Sequence, residues 1–160
     1  MKYSLYIAAA ADDKRAAYSY VLVNYTGIIA KGTYLTVGER RFDDSFCGHV
    51  ALQRSLREAA RQDGVLDVTV VLDAGGLQEV GLELMDVSPP LYPALWRNTK
   101  RVMQRFSECT LAAMKKDDEM TREEASVFDE CLDGLEQSRT FGGRLRLIRD
   151  CLLGKNNIIR

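Results

Sequence analysis

The segment VTVVLDAGGLQEV, residues 68–80, constrains the fold of this chain more than any other. A short apolar run that is rich in Val and bounded by Gly is typical of a buried strand. Ligands of open α/β sheets bind beside the carboxyl ends of such strands, where Asp73 stands here. Asp73 also suits a simpler role, as the cap of the helix that the following residues predict. The segment therefore predicts a central strand over residues 67–72 that ends at either a site residue or a helix cap.

The composition is that of an ordinary globular protein, since 46% of the 160 residues are hydrophobic and the formal net charge is −1. Any nucleic-acid binding must therefore come from a local basic patch. The cysteines are too dispersed for a structural zinc site, and the chain has a single histidine, His49. Reduced cysteines, the lack of a recognisable signal peptide and the lack of a long apolar run predict a cytoplasmic protein that does not contact membranes.

The order of the elements follows from hydrophobic periodicity. Three antiparallel strands are predicted first, then a helix that begins near Asp44, the strand over 67–72, further helices, a short strand and an acidic helix. The last of these helices begins at a capping-box pattern, residues 121–124. The predicted ranges are strands at 3–11, 17–25, 28–37 and 110–114, and helices at 77–85, 92–108 and 121–136. We expect one domain over residues 1–160.

A basic C-terminal segment, about residues 142–160, follows the glycine pair Gly142 and Gly143. Its apolar residues recur at helical spacing, which predicts a terminal helix that packs them against the domain and does not contact a membrane. They are Leu145, Ile148, Cys151 and Leu152.

This order of elements resembles the ribonuclease H-like fold, an α/β fold with a five-stranded mixed sheet flanked by helices. Residues 11–22 look like the Asp-containing hairpin of that family, and Asp73 with its Ala-Gly-Gly looks like its second aspartate. Residues 115–118 and 123–132 resemble the closing segment, with Asp129 as the last aspartate. The resemblance implies hydrolysis of the RNA strand of RNA–DNA hybrids, with Asp12, Asp73 and Asp129 as ligands of Mg²⁺ or Mn²⁺. Two-metal hydrolysis needs several converging carboxylates.

Three features depart from the family pattern or leave it open. His49 stands where the family has a glutamate on the first helix. We therefore expect His49 to be a catalytic residue that points into the same cleft as the aspartates, as a ligand or proton carrier; the alternative is a half-buried, hydrogen-bonded core histidine. With this replacement we expect weak activity that favours Mn²⁺ over Mg²⁺. In a second possible register, Ala8 and not Asp12 occupies the first aspartate position. The family's late loop histidine is also missing, and Asp117 or Asp118 lies in that region.

A basic stripe on the helix over 92–108 resembles the helical handle with which some family members grip the backbone of a hybrid. Its residues are Trp96, Arg97, Lys100, Arg101 and Arg105. A solvated helix face explains the same spacing. The sequence thus leaves two functions open: a weakened metal-dependent nuclease, or an inactive module that binds nucleic acid or a protein partner. A small-molecule enzyme lacks support because no phosphate-binding loop is recognisable.

Overall fold

The computed structural model describes residues 2–62, 64, 67–114 and 119–160 of the chain. Its centre is a six-stranded mixed sheet in the order β5-β4-β1-β2-β3-β6. The strands are β1 (Lys2–Ala11), β2 (Ala16–Asn24), β3 (Gly27–Thr36), β4 (Asp67–Leu72), β5 (Glu108–Ala113) and β6 (Ile158–Ile159). The helices are α1 (Asp44–Arg61), α2 (Gln78–Leu84), α3 (Pro93–Met103), α4 (Arg122–Arg139) and α5 (Phe141–Leu152).

Strands β1, β2 and β3 form the predicted antiparallel meander, and β4 pairs with β1 in parallel. The ladder between β1 and β4 runs from Lys2 opposite Asp67 to Ile7 opposite Leu72. This pairing confirms the predicted central position of β4. The connection between β3 and β4 passes through α1, as a parallel crossover requires.

Side chains of the strands alternate between two apolar layers. On one face, Leu5 and Ile7 of β1 and Leu72 of β4 pack with Leu52 and Leu56 of α1. On the other face, Ala8 of β1 packs with Val127 and Cys131 of α4. The sheet is therefore covered by α1 on one side and by α4 on the other, with α2 and α3 beside α1.

The sheet has six strands and not the predicted five. The sixth, β6, pairs in parallel with the end of β3 through Leu35–Ile158 and Thr36–Ile159. A strand of two residues carries no periodicity, so no sequence pattern could indicate it. Helix α3 is also shorter than predicted, because it ends at Met103 and β5 begins at Glu108.

The C-terminal helix packs against α4, but it does not do so through the predicted apolar stripe. Helix α5 begins directly after Thr140, whose hydroxyl accepts a hydrogen bond from the Gly143 backbone N–H. Leu145 and Ile148 are more than half exposed and Leu152 is 83% exposed, so the apolar stripe faces solvent, and Asp150 is the buried residue. The capping box at Thr121 and Glu124, by contrast, is present as predicted.

No helix in the described part of the chain is long and apolar enough to cross a membrane. All four cysteines are free thiols, of which Cys47 and Cys131 are buried. Burial raises the pKa of the Cys131 thiol to about 11. The cytoplasmic location stays a prediction.

Candidate active site and basic helix

The Asp73 carboxylate lies at the carboxyl end of β4 and binds backbone N–H groups. Its Oδ1 accepts a hydrogen bond from Gly75 N at 2.9 Å, and its Oδ2 accepts from Gly76 N at 3.3 Å and Ala9 N at 3.4 Å. In a continued parallel ladder, the Ala9 N–H would donate to the main-chain carbonyl of Asp73. That carbonyl instead accepts from Leu77 N at 3.2 Å. The side chain of Asp73 therefore ends the ladder and shapes the turn into α2.

Ala8 is the residue of β1 that lies beside Asp73. Asp73 N donates to Ile7 O at 3.0 Å, directly after the pair of Ile7 and Leu72. Ala8 is fully buried under α4, where its carbonyl accepts a hydrogen bond from the Cys131 thiol. The sequence leaves two registers open, and the structure has the one in which Ala8 lies nearest Asp73.

Asp12 is placed elsewhere, in the turn between β1 and β2. It stands four residues beyond Ala8, which corresponds to about 13 Å along a strand. Its Oδ1 accepts from Lys14 N and Arg15 N at 2.8 and 2.9 Å, and its Oδ2 pairs with Arg139 Nε at 3.0 Å. Burial alone would raise the pKa of Asp12, but these hydrogen bonds outweigh it and hold the pKa below its usual range. Asp12 therefore acts as a turn aspartate and does not reach Asp73.

Asp129 lies on the solvent side of α4. The helix buries Val127 and Cys131 against the sheet, while Asp129 is exposed. Two residues of helix rotate a side chain by about 200°, so a residue midway between two inward positions must point outward. Asp129 is therefore not directed at Asp73.

His49 is a fully buried side chain of the interface between α1, α2 and α3. Its Nε2 lies 2.6 Å from Glu83 Oε2, and its Nδ1 lies 2.9 Å from Thr99 Oγ1. Ser45 Oγ donates to the other oxygen of Glu83 at 2.9 Å. The expectation that His49 points into a cleft with Asp73 is wrong, because the ring is held between two other helices.

A divalent metal does not fit this arrangement. Both oxygens of Asp73 accept backbone N–H bonds, and an alanine occupies the adjacent position on β1. The turn after Asp73 also closes on β1, since a Cβ on Gly76 would lie 2.5 Å from the Ala9 Cβ. Within the described ranges, no three His, Cys, Asp or Glu residues could hold a metal ion. Asp12, Asp73 and Asp129 therefore do not assemble the expected ligand set; Asp117 and Asp118 lie outside the described residues.

The basic stripe on α3 divides into two parts. Trp96 Nε1 donates to Glu83 O at 3.0 Å, and Lys100 Nζ donates to Leu84 O at 2.6 Å, so both residues attach α3 to α2. Arg97 and Arg101 are exposed on α3, and Arg105 is exposed just beyond its end. None of these three arginines forms an ion pair with another described residue.

Sequence reasoning missed one important residue, Glu83. This buried carboxylate accepts hydrogen bonds from Ser45 Oγ and from Leu91 N and pairs with His49. The only signal was indirect: a glutamate on the short α2 between Leu82 and Leu84 has apolar neighbours, which favours burial but names no partner.

Comparison with models of protein families gave no match, and comparison with curated proteins gave none either. Solved structures, in contrast, share the fold. The ribonuclease H1 of the halophilic archaeon Halobacterium salinarum superimposes with a TM-score of 0.62 and 21% identity, over 83% of this chain and 98% of that chain. The N-terminal RNase H domain of rv2228c from Mycobacterium tuberculosis gives a TM-score of 0.64 and 14% identity, over 87% and 99%.

A third similar structure is LC11-RNase H1 in complex with an RNA/DNA hybrid, with a TM-score of 0.57 and 13% identity over 83% of this chain and 99% of that chain. The chain therefore has a ribonuclease H-like fold. At these identities the likeness establishes the fold, and function must be argued from the site.

Proposed function

We propose that this protein is a ribonuclease H-fold module that binds RNA–DNA hybrids or a related duplex without cleaving them. The observation that carries the proposal is the position of Ala8 beside Asp73. Two-metal hydrolysis needs several carboxylates at one point, and this point has one carboxylate whose oxygens are already occupied by backbone donors.

The nucleic-acid surface of the proposal is the exposed face of α3. Its sequence, PALWRNTKRVM, contains no acidic residue. Arg97 and Arg101 are one helical turn apart, about 6 Å along the axis, and both are free to reach phosphate oxygens. The complex of LC11-RNase H1 with a hybrid supports a duplex as the ligand class of this fold.

Charge distribution favours the same surface. The outer face of α4 carries Asp129, Asp133 and Glu136, all exposed. A polyanionic duplex is repelled by that face and attracted to α3 on the opposite side of the sheet. Contacts of this kind give affinity without base specificity.

Fluorescence anisotropy with a labelled RNA–DNA hybrid tests the binding surface. Replacing two phosphate contacts in R97Q/R101Q should weaken binding at least tenfold and lower the slope of log K against log salt by roughly 2. The matched control R144Q/R146Q removes the same charge from α5 and should leave the affinity within about twofold. Equal loss in both variants would show a general charge effect and contradict the α3 surface.

If the wild type binds neither a hybrid, nor any other duplex, nor a single strand, the ligand is not nucleic acid. The remaining function would then be the binding of a protein partner.

A further inference from the structure

A pocket lies between α1, β3 and the turn that joins α5 to β6. It has a volume of about 360 Å³ and includes Tyr34 of β3, Arg54 and Arg57 of α1, and Asn156. This volume is within the range of small-molecule sites. Asn156 and Asn157 lie in the turn between α5 and β6 and line the pocket. The C-terminal segment therefore forms part of the pocket wall.

Arg54 is the most constrained of the pocket's cations. Its Nη1 donates to two carbonyl oxygens, of Asn156 and Ile158, both at 2.6 Å, and its guanidinium lies 5.9 Å from the centre of the Tyr34 ring. Burial, together with repulsion from Arg57, lowers the pKa of Arg54. The carbonyls fix the orientation of the guanidinium, but they are neutral and leave its charge uncompensated.

Arg57 adds a second uncompensated charge. It is half-buried, and among the described residues it makes no hydrogen bond and no ion pair. Among the described residues that line the pocket, the only carboxylate is Glu58, which is already paired with Arg61. Two neighbouring, partly buried guanidiniums without a counter-ion repel each other. An anion between them would offset the free-energy cost of this repulsion.

We propose that this pocket binds a phosphomonoester, with Arg54 and Arg57 as its phosphate ligands. A phosphomonoester carries about two negative charges near neutral pH, which balance two guanidiniums, whereas one carboxylate balances only one. Guanidinium forks match phosphate oxygens in pairs. The group is supplied either by a small molecule such as a nucleoside monophosphate or by the 5′-phosphate end of a nucleic-acid strand.

NMR titration of the full chain with inorganic phosphate and then with AMP tests the proposal directly. The Nε–Hε signals of Arg54 and Arg57 should shift, and the affinity should fall at least tenfold between pH 7 and pH 5 as the phosphate gains a proton. Succinate, a dicarboxylate, serves as the control anion. No shift of either signal with phosphate, or equal affinity for succinate, would overturn the proposal.

The variant R57Q provides the matched test, because Arg57 makes no hydrogen bond and no ion pair with any other residue that the structure describes. It should lower the affinity for AMP at least tenfold with an unchanged melting temperature, while R144Q, which removes an exposed charge from α5, should change it less than twofold. Equal effects of R57Q and R144Q would refute the site. A 5′-phosphorylated oligonucleotide that binds more tightly than its 5′-hydroxyl form identifies a strand end as the source, and preference for AMP alone identifies a small molecule.

This site is independent of the α3 surface. R97Q/R101Q should leave AMP binding intact, and R57Q should leave the salt slope of hybrid binding intact. Failure of one proposal is therefore distinguishable from failure of the other.

Discussion

The side chain of Asp73 accepts the hydrogen bond from Ala9 N–H that its main-chain carbonyl would accept in a continued ladder. Its carboxylate accepts hydrogen bonds from three backbone N–H groups, of which those of Ala9 and Gly76 lie away from solvent and that of Gly75 is exposed. An unsatisfied buried donor costs about 1–3 kcal/mol. We expect Asp73→Ala to lower the free energy of unfolding by about that amount in urea titrations. Asp129→Ala, at an exposed position on α4, should change it by less than about 0.5 kcal/mol. Equal effects would contradict the structural role of Asp73.

His49 leads to a second prediction at the scale of residues. Because His49 Nε2 lies 2.6 Å from Glu83, the variant His49→Glu buries two carboxylates side by side. We expect a loss of about 3 kcal/mol or more in the free energy of unfolding at pH 7, smaller at pH 4, where one carboxylate gains a proton. The double variant H49E/E83Q should recover most of the loss. A gain of Mg²⁺-dependent cleavage in His49→Glu would instead place His49 at an active site.

Sequence reasoning reached these residues with mixed success, for a physical reason. The position of Asp73 follows from a local pattern, a Val-rich strand followed by glycines, which can be recognised without any knowledge of tertiary contacts. The competing positions Ala8 and Asp12 differ only in the length of a hairpin, and strand register is decided by packing across the sheet. His49 was chosen from its place on α1, but the side chain that meets it, Glu83, lies 34 residues away.

Among the elements, α5 and the turn before β6 are held together by one buried carboxylate, that of Asp150. Asp150 accepts from Asn157 Nδ2 at 3.0 Å and pairs with Arg149 at 3.0 Å and Lys155 at 3.3 Å. The hydrogen bond from Asn157 is the largest influence, and with the two cations it lowers the pKa of Asp150 to about 2. Asp150 thereby joins α5 to the turn before β6.

The pH dependence of this junction follows from the sign of that shift. The pKa of Asp150 is near 4 in the unfolded chain and about 2 in the folded one, so the ionised form stabilises the fold. Its contribution is complete above about pH 5 and is lost as the pH falls from about 4 to 2. We expect Asp150→Asn to be less stable than wild type at pH 6, with the difference shrinking below pH 4. A difference that is constant over this range would contradict the ion pairs.

The predictability of elements followed their length and burial. Strands β1 to β4 each extend over six residues or more, and the sequence predicts all four. The apolar stripe of α5 indicated a helix correctly but did not indicate which face is covered. Asp150 is the buried residue of α5, while Leu145, Ile148 and Leu152 of the stripe are exposed.

At the scale of the whole molecule, opposite charges lie on opposite sides of the sheet. The exposed arginines of α3 stand on the side of α1, and the acidic face of α4 covers the other side. A net charge of −1 conceals this asymmetry, which only the fold makes visible. We expect hybrid binding to fall by more than tenfold between 50 and 200 mM salt, measured by anisotropy with wild type. Salt-independent binding would rule out phosphate contacts on α3.

We propose above that this protein binds a hybrid through its ribonuclease H fold and leaves the hybrid intact. The most direct measurement is a cleavage assay on a labelled RNA–DNA hybrid at saturating protein, with Mg²⁺ and with Mn²⁺, with binding recorded in the same samples. We expect a bound hybrid whose RNA strand is uncut with either ion. Cleavage by wild type that disappears in Asp73→Asn would contradict this expectation, because it would show that Asp73 serves a working metal site.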